Sequence, residues 1–271
     1  MTQRPWAEQA PATLNAVAAD WELEVGDPFP GASASLTVPA ILRDGTDAVL
    51  KVAFPHRESE QEADALFAWD GNGAVRLLAV DRDRFALLLE RCRPGLPLAV
   101  LEPEEALDVL VDLLPRLWLP AGEPFRPLAA EAAWWASYLE ERWEALGRPF
   151  ERSLLDLAAA ALRDLSPTQG DAVLLHQDLH GGNVLSAERE PWLVIDPKPL
   201  AGEREFAAAP IVRSSELGHS RRAARYRLDR VTGDLGLDRE RARLWTIGQT
   251  IAWCFDGTCL GTHIETARWL L

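Results

Sequence analysis

Hydrophobic and polar positions along the first third of the chain predict a small antiparallel sheet with one helix. Two strand-like stretches, Thr37–Leu42 and Ala48–Phe54, flank a polar Asp-Gly break that is typical of a hairpin. The segment Ser59–Trp69 repeats its apolar residues at helical spacing. Two further strands are predicted over Ala74–Val80 and Phe85–Glu90, joined by a short charged turn.

The remaining pattern predicts helices interrupted by one short hairpin. Val184–Ser186 and Trp192–Ile195 are apolar stretches separated by a polar break that ends in Pro191. The predicted helices cover Pro103–Trp118, Pro127–Leu146, Arg152–Leu165, Ser220–Leu235, Asp238–Phe255 and His263–Leu271. We therefore expect an α+β fold, with a small antiparallel-sheet N-lobe over residues 1–91 and a larger, mainly helical C-lobe over residues 92–271.

A polar loop precedes the hairpin and has the spacing H-x-D-x-x-x-x-N, from His176 to Asn183. If the hairpin strands pair antiparallel, Asn183 lies beside Asp196, which follows the second strand. One carboxylate and one amide oxygen suit a magnesium ion that is also bound by phosphates. Asp178 would then orient a hydroxyl group and accept its proton, as in phosphoryl transfer. The alternative is that Asp178 and Asn183 only cap a turn.

The second predicted strand carries a single cation, Lys51, among apolar residues. A buried ammonium group without a partner is costly, so Lys51 needs a nearby anion. Glu62 falls on the inward face of the following helix and is the favoured partner, with Glu58 as the alternative. Such a pair positions nucleotide phosphates in kinases. The competing interpretation is an edge-strand lysine with its head group in water.

Two weaker nucleotide-binding segments follow from the same reasoning. Backbone groups from Glu90 to Cys92, where the chain leaves the predicted sheet, are candidates to pair with adenine. The segment Pro30–Ser35 is small and polar, so it could cover the phosphates, with Ser33 as a contact residue. It holds one glycine and could equally be a plain turn.

Charge and composition limit the classes of binding partner and the location expected for this chain. A net charge of −14 argues against nucleic acid and favours a small cationic, hydroxylated substrate, although acidity is also common for solubility. The three cysteines form no metal or disulfide pattern, and no export signal or membrane-length apolar stretch is visible. We therefore expect a cytoplasmic protein without membrane partners, either a monomer or a weak dimer.

Several stretches together resemble the aminoglycoside phosphotransferases, in particular the branch of streptomycin 6-kinases and hydroxyurea-type resistance kinases. They include Val-Leu-Lys51-Val, Leu-Leu-His176-Gln-Asp178-Leu-His, Asn183-Val-Leu and Trp-Leu-Val-Ile-Asp196-Pro-Lys-Pro. The resemblance covers about residues 30–215. It implies a protein-kinase-like bilobal fold and phosphorylation of an aminocyclitol hydroxyl with ATP and Mg²⁺, GTP remaining open as donor. Lys51 and Glu62 would hold the phosphates, Asp178 would be the catalytic base, and Asn183 and Asp196 would bind magnesium.

The chain departs from this family at two positions. Gln177 stands where a small residue, usually glycine, is expected, and Ala207 stands where an acid would brace the catalytic loop from below. Only a few residues separate Asp196 from Gly202, which leaves no room for the long activation segment of a eukaryote-like protein kinase. A kinase of another small metabolite, or a nucleotide-binding pseudokinase that serves as an interaction module, are the alternatives.

The acceptor pocket is not specified by any motif. Its carboxylates are expected from the helical region, with the candidates Glu203, Glu216, Asp229, Asp234, Asp256 and Glu265.

Overall fold

A computed structural model of the chain describes residues 3–30, 34–256 and 260–271. The strands are β1 (Glu24–Val25), β2 (Ser35–Ile41), β3 (Asp47–Ala53), β4 (Leu77–Asp81), β5 (Ala86–Glu90), β6 (Val173–Leu175), β7 (Val184–Ser186), β8 (Trp192–Val194) and β9 (Leu200–Gly202). The helices are α1 (Gln3–Asp20), α2 (Glu62–Trp69), α3 (Pro103–Leu117), α4 (Leu128–Ala145), α5 (Arg152–Leu165), α6 (Ala208–Arg213), α7 (Arg221–Leu235), α8 (Arg239–Trp253) and α9 (Leu260–Trp269). The predicted α+β class is confirmed. None of the helices in these ranges combines the length and apolar character needed to cross a membrane.

Strands β1 to β5 form one antiparallel sheet in the order β1-β2-β3-β5-β4. Leu50 and Val52 of β3 point into a core that also includes side chains of β2, β5 and α1. Because successive side chains of a strand point to opposite faces, Lys51 lies on the other face of the sheet. It stands between Thr37 on β2 and Leu87 on β5.

Helix α1 is not among the elements predicted above. It packs Leu14, Val17 and Ala18 against the sheet. Pro11 lies inside the helix, and an internal proline removes a backbone hydrogen bond and argues against a helix. The buried side chains of Trp6, Ala10, Leu14 and Val17 nevertheless recur at helical spacing. This periodicity was the sequence signal for α1.

Helix α8 is central to the helical part of the chain. Its Trp245, Ile247 and Ile251 side chains are fully buried, and α8 packs on α4, α5, α6, α7 and α9. A Cβ atom at Gly248 would lie 2.9 Å from Leu162 Cδ2, so the glycine permits the close approach of α5. This core fixes the helices that surround the loop after β6.

Two short sheets set the position of that loop. Strand β6 is buried along its length and pairs antiparallel with β9, with Val173 opposite Gly202. Strands β7 and β8 pair with each other in the predicted hairpin. Residues 176–183 therefore leave a strand that is fixed by both pairing and burial.

The chain divides into two compact units. Unit 1 comprises residues 1–96 and 185–198, and unit 2 comprises residues 97–184 and 199–271. Most of the hairpin thus belongs with the N-terminal sheet, whereas the preceding loop belongs with the helices. The division into two lobes that the sequence predicts, residues 1–91 and 92–271, stays a prediction.

Candidate active site

In unit 1, Lys51 is held by a carboxylate of the neighbouring helix. Its Nζ atom lies 2.6 Å from Glu62 Oε1, and the two side chains are only 7% and 3% exposed. Glu62 begins α2, and Ala63, Ala65 and Leu66 of the same helix are buried. The alternative partner, Glu58, lies before α2, where its amide donates to His56 Nδ1. The structure therefore pairs Lys51 with the acid that the helical spacing favoured.

Asp196 supplies a second carboxylate to the same lysine. Lys51 Nζ donates to Asp196 Oδ1, and Lys198 Nζ lies 3.8 Å from Asp196 Oδ2. Burial would lower the pKa of Lys51, but the charges of Asp196 and Glu62 outweigh burial and raise the pKa above its ordinary value. Asp196 is 43% exposed at its side chain, so this carboxylate, unlike that of Glu62, is accessible to a ligand.

Strand β8 places Asp196 through its contacts with the segment that leads into β4 of the N-terminal sheet. The Val194 amide donates to Gly73 O at 2.9 Å, and the Val75 amide donates to Val194 O at 3.0 Å. Asp196 follows two residues later with a positive φ of 55°. This left-handed conformation is uncommon for residues other than glycine and turns the chain away at the end of the strand.

An arginine in the turn between β7 and β8 secures the hairpin to the same sheet. Arg189 contacts both carboxylate oxygens of Glu90, at 2.8 Å and 2.9 Å. It also donates to the carbonyl groups of Gly71 and Ala74. The Glu90 carboxylate, which is half-buried, is thus part of the scaffold.

The remaining nucleotide-binding candidates have different outcomes. The Glu90 amide donates to Arg76 O at 2.9 Å, and the Cys92 thiol is partly buried. Burial raises the pKa of Cys92 to about 12, so the thiol is neutral near pH 7. Adenine pairing between Glu90 and Cys92 stays a prediction. Ser33 lies outside the described residues.

In unit 2, the loop after β6 is held at its backbone. The Asp178 amide donates to His176 Nδ1 at 3.3 Å, and Gln249 Nε2 of α8 donates to the Gln177 carbonyl at 3.0 Å. Gln177 has a positive φ of 67°. Glycine adopts this conformation without a steric cost, which explains why a small residue is expected here and why Gln177 is strained by roughly 1 kcal/mol.

The side chains of Asp178 and Asn183 are oriented by two different contacts. Arg213 Nη2 donates to Asp178 Oδ1 at 2.7 Å. Asn183 Nδ2 donates to the Asp178 main-chain carbonyl at 2.9 Å. Because the nitrogen of the Asn183 amide binds the loop, its Oδ1 atom is the one suited to a cation.

The position of the expected bracing acid is occupied by a small apolar side chain. Ala207 is buried and lines, with Gln177 and Trp118, a small cavity of about 10 Å³ under the loop. The structure holds the loop instead through Gln249 and Arg213, which come from α8 and α6. The departure at Ala207 is therefore accompanied by other supports.

The six candidate acceptor carboxylates differ in their surroundings. Glu203 is buried against Arg241, and Asp229 and Asp234 pair with arginines of the helices, so these three have structural partners. Glu265 binds His219 at 2.8 Å. The Asp256 side chain is outside what the structure describes.

Glu216 is the candidate that contacts the loop itself. Its Oε1 atom lies 2.7 Å from His180 Nδ1. Burial would raise the pKa of Glu216, but the hydrogen bond and charge of His180 lower it to about 2. Glu216 therefore remains ionised over the whole physiological range.

Each unit offers an oxygen donor of the kind that magnesium takes when a nucleotide carries it. Among the described residues, no group of three or more His, Cys, Asp or Glu side chains could hold a metal by itself. Magnesium bound to nucleotides takes one or two protein carboxylates and fills its shell with phosphate and water oxygens. The accessible carboxylate of Asp196 and the amide oxygen of Asn183 are donors of this kind.

Three residues that hold the candidate residues of their own unit in place were not identified from the sequence: Arg189, Arg213 and Gln249. Arg213 follows the apolar run from Phe206 to Val212, and a lone cation after such a run signals a buried ion pair, as it did at Lys51. Arg189 and Gln249 carry no comparable signal, since Arg189 lies among polar residues and Gln249 lies in a helix that contains many of them.

A cation, acids and an amide of these kinds are the groups with which phosphotransferases bind a nucleotide's phosphates and an accepting hydroxyl. The class is therefore a phosphotransferase of protein-kinase-like fold. The chain belongs to the aminoglycoside/hydroxyurea antibiotic resistance kinase family, whose sequence model matches residues 21–256. The resemblance inferred from the motifs is confirmed.

Two relatives agree with this assignment, and a solved structure agrees with the fold. The hydroxyurea phosphotransferase of Kitasatospora aureofaciens is 42% identical over 259 residues, covering 93% of this chain and 74% of that protein. The streptomycin 6-kinase of Streptomyces glaucescens is 40% identical over 253 residues, covering 91% and 82%. The crystal structure of choline kinase LicA from Streptococcus pneumoniae has a TM-score of 0.67 at 13% identity, covering 97% and 99%. LicA has also been crystallised in complex with AMP.

Proposed function

We propose that the chain transfers the terminal phosphoryl group of ATP to a hydroxyl group of a small cationic aminocyclitol, with streptomycin as the first acceptor to test. The observation that carries the proposal is the buried pair of Lys51 and Glu62 with Asp196 on the same lysine. An ion pair that serves only the surface is exposed to solvent, whereas this pair is buried on a β-strand at the cost of desolvation. A lysine that binds phosphates needs such fixed anions to hold its side chain in place. The streptomycin 6-kinase relative supports the acceptor.

Each group has one role in this mechanism. Lys51, held by Glu62, contacts the phosphates of the nucleotide. Asp196 and Asn183 would each supply an oxygen ligand to Mg²⁺, which would neutralise the charge of the phosphate oxygens. Asp178 accepts a hydrogen bond from the acceptor hydroxyl, orients it towards the phosphorus atom and takes its proton. The acidic surface attracts a cationic acceptor by long-range electrostatics.

A second acceptor has support from a specific comparison. The relative from Kitasatospora aureofaciens is named a hydroxyurea phosphotransferase and shares 42% of aligned residues with this chain. Hydroxyurea is small and uncharged, so it would gain nothing from the net charge of −14. The charge therefore favours a streptomycin-like acceptor over hydroxyurea.

The test is a coupled ADP-release assay with Mg²⁺ and ATP over streptomycin, other aminoglycosides, hydroxyurea and neutral sugars. Streptomycin is expected to give the highest kcat/KM, and rising salt is expected to increase its KM but not that of hydroxyurea. Turnover with hydroxyurea alone would establish the second acceptor. The absence of turnover with every acceptor would overturn the proposal.

A variant of the proposed base tests the mechanism separately. Asp178→Asn should lower kcat by about 10²–10⁴-fold while nucleotide binding, measured by calorimetry, changes little. Asp164→Asn is the matched control, because Asp164 is an exposed carboxylate of α5 in the same unit. Near-normal turnover of Asp178→Asn would show that Asp178 is not the base.

A further inference from the structure

The ion pair between Arg213 and Asp178 is buried within unit 2. Arg213 Nη2 lies 2.7 Å from Asp178 Oδ1, with side chains 8% and 13% exposed. Removing a guanidinium ion and a carboxylate from water is unfavourable by several kcal/mol per ion, and their attraction repays this only when the geometry is good. A buried pair of this kind therefore indicates that the orientation of the Asp178 carboxylate matters.

Arg213 is itself fixed in place from two directions. Its guanidinium carbon lies 4.3 Å from the centroid of the Trp253 ring, within the range of a cation–π contact. Its backbone ends α6, in which residues 208–213 are all buried. The guanidinium group is planar and rigid, so these contacts fix the direction in which Nη2 donates.

The contact with Arg213 acts on the Asp178 carboxylate itself. Gln249 holds the carbonyl of Gln177, and Asn183 holds the carbonyl of Asp178, so both act on the backbone of the loop. A carboxylate that is fixed only at its backbone can still rotate about its side-chain bonds. Arg213 holds Oδ1 and so restricts that rotation.

We propose that Arg213, held against Trp253, is a positioning residue that orients the Asp178 carboxylate towards the acceptor hydroxyl. The inference rests on the proposed function and deepens it by assigning a residue that acts through the base. Arg213 takes over part of the support that an acid at position 207 would give the loop, since Ala207 has no polar side chain.

The decisive experiment is a double-mutant cycle on kcat. Arg213→Met keeps an apolar stem against Trp253 but removes the donor, and it should lower kcat about 100-fold with acceptor KM changed less than about threefold, because misplacement of a reacting group has effects of this size. In the Asp178→Asn background the same change should lower the residual kcat by less than about twofold. Arg213→Lys, which keeps one donor, should recover part of the lost rate.

A merely structural role predicts a different pattern. Arg213→Met would then lower the melting temperature and the folded fraction, and kcat per folded molecule would fall equally in both backgrounds or in neither. Arg241→Met is the matched control, because Arg241 forms an ion pair with buried Glu203 in the same unit at 2.7 Å. It should cost stability with kcat unchanged.

The outcomes separate this inference from the proposed function. If the unmodified protein turns over no acceptor, the proposed function fails first. If the unmodified protein is active and Arg213→Met retains normal kcat, or acts equally strongly in the Asp178→Asn background, then Arg213 does not position the base.

Discussion

Lys51→Met is the most informative perturbation of unit 1, because the structure fixes the size of its effect. Lys51 and Glu62 are both almost fully buried and lie 2.6 Å apart. Removing the cation leaves the Glu62 carboxylate in the core without its partner, which typically costs about 3–5 kcal/mol. Asp196 adds little to the cost, since its side chain is 43% exposed and can be hydrated.

Two further variants check the origin of that cost. Glu62→Gln leaves Lys51 with Asp196 as its anion, so it should cost only about 1–2 kcal/mol, the price of a weaker hydrogen bond. The double variant Lys51→Met/Glu62→Leu contains no buried charge at either position. It should be within about 1 kcal/mol of the unmodified protein, because replacing a whole buried pair by apolar residues is often nearly neutral.

The measurement is urea unfolding followed by circular dichroism at pH 7. The midpoints should move while the slope stays constant, which indicates a change in stability alone. Arg43→Met is the control, because its ion pair with Glu22 is on the surface and should contribute less than about 1 kcal/mol. The reasoning fails if Lys51→Met costs no more than Arg43→Met, or if the double variant is no more stable than the single one.

Three other predictions concern stability and can be measured by urea unfolding, which for the first of them is repeated at several pH values between 7 and 4. Burial, assisted by the charge of Arg213, lowers the pKa of His263 from its ordinary value near 6.5 to about 4. Between these pH values the unfolded chain binds more protons than the folded one, so the stability should fall by up to about 3 kcal/mol as the pH drops from 6.5 to 4. His263→Leu should lose this dependence of stability on pH. Arg189→Met should destabilise the protein by about 2–3 kcal/mol, because it leaves the Glu90 carboxylate without its two-point partner, whereas an unchanged midpoint would contradict a scaffold role for this pair. Gly202→Ala should cost about 1–3 kcal/mol, because the new Cβ would lie 2.5 Å from Leu128 Cβ of α4, and a stability equal to that of the unmodified protein would refute the close packing.

The sequence was sufficient to predict candidate residues where side chains of the required chemistry also occur at the spacing of a strand, a helix or a short loop. The strand that carries Lys51 and the helix that carries Glu62 are adjacent in sequence, and the period of two and of 3.6 residues places both side chains inward. The loop after β6 is likewise short, so the relative positions of Asp178 and Asn183 depend on few backbone angles. Such features follow from local rules.

The parts that sequence reasoning missed depend on contacts between distant segments. Arg189 binds Glu90 across 99 residues, and Gln249 binds the Gln177 carbonyl across 72. Nothing in the local sequence of either partner fixes these separations. Helix α1 was missed for a different reason, because Pro11 conceals an apolar periodicity that continues on both sides of it.

Arg213 is the instructive intermediate case, since the argument that identified Lys51 applies to it without change. Both residues are single cations next to apolar runs, and both are buried. A buried cation requires an anion. For Lys51 this anion is Glu62, which lies on the next helix of the chain. For Arg213 the anion lies 35 residues upstream, in the loop already identified by its own motif. An acid that a motif assigns to catalysis and a buried cation without a local partner therefore predict one another, and the pair of Arg213 and Asp178 could have been inferred by combining the two signals.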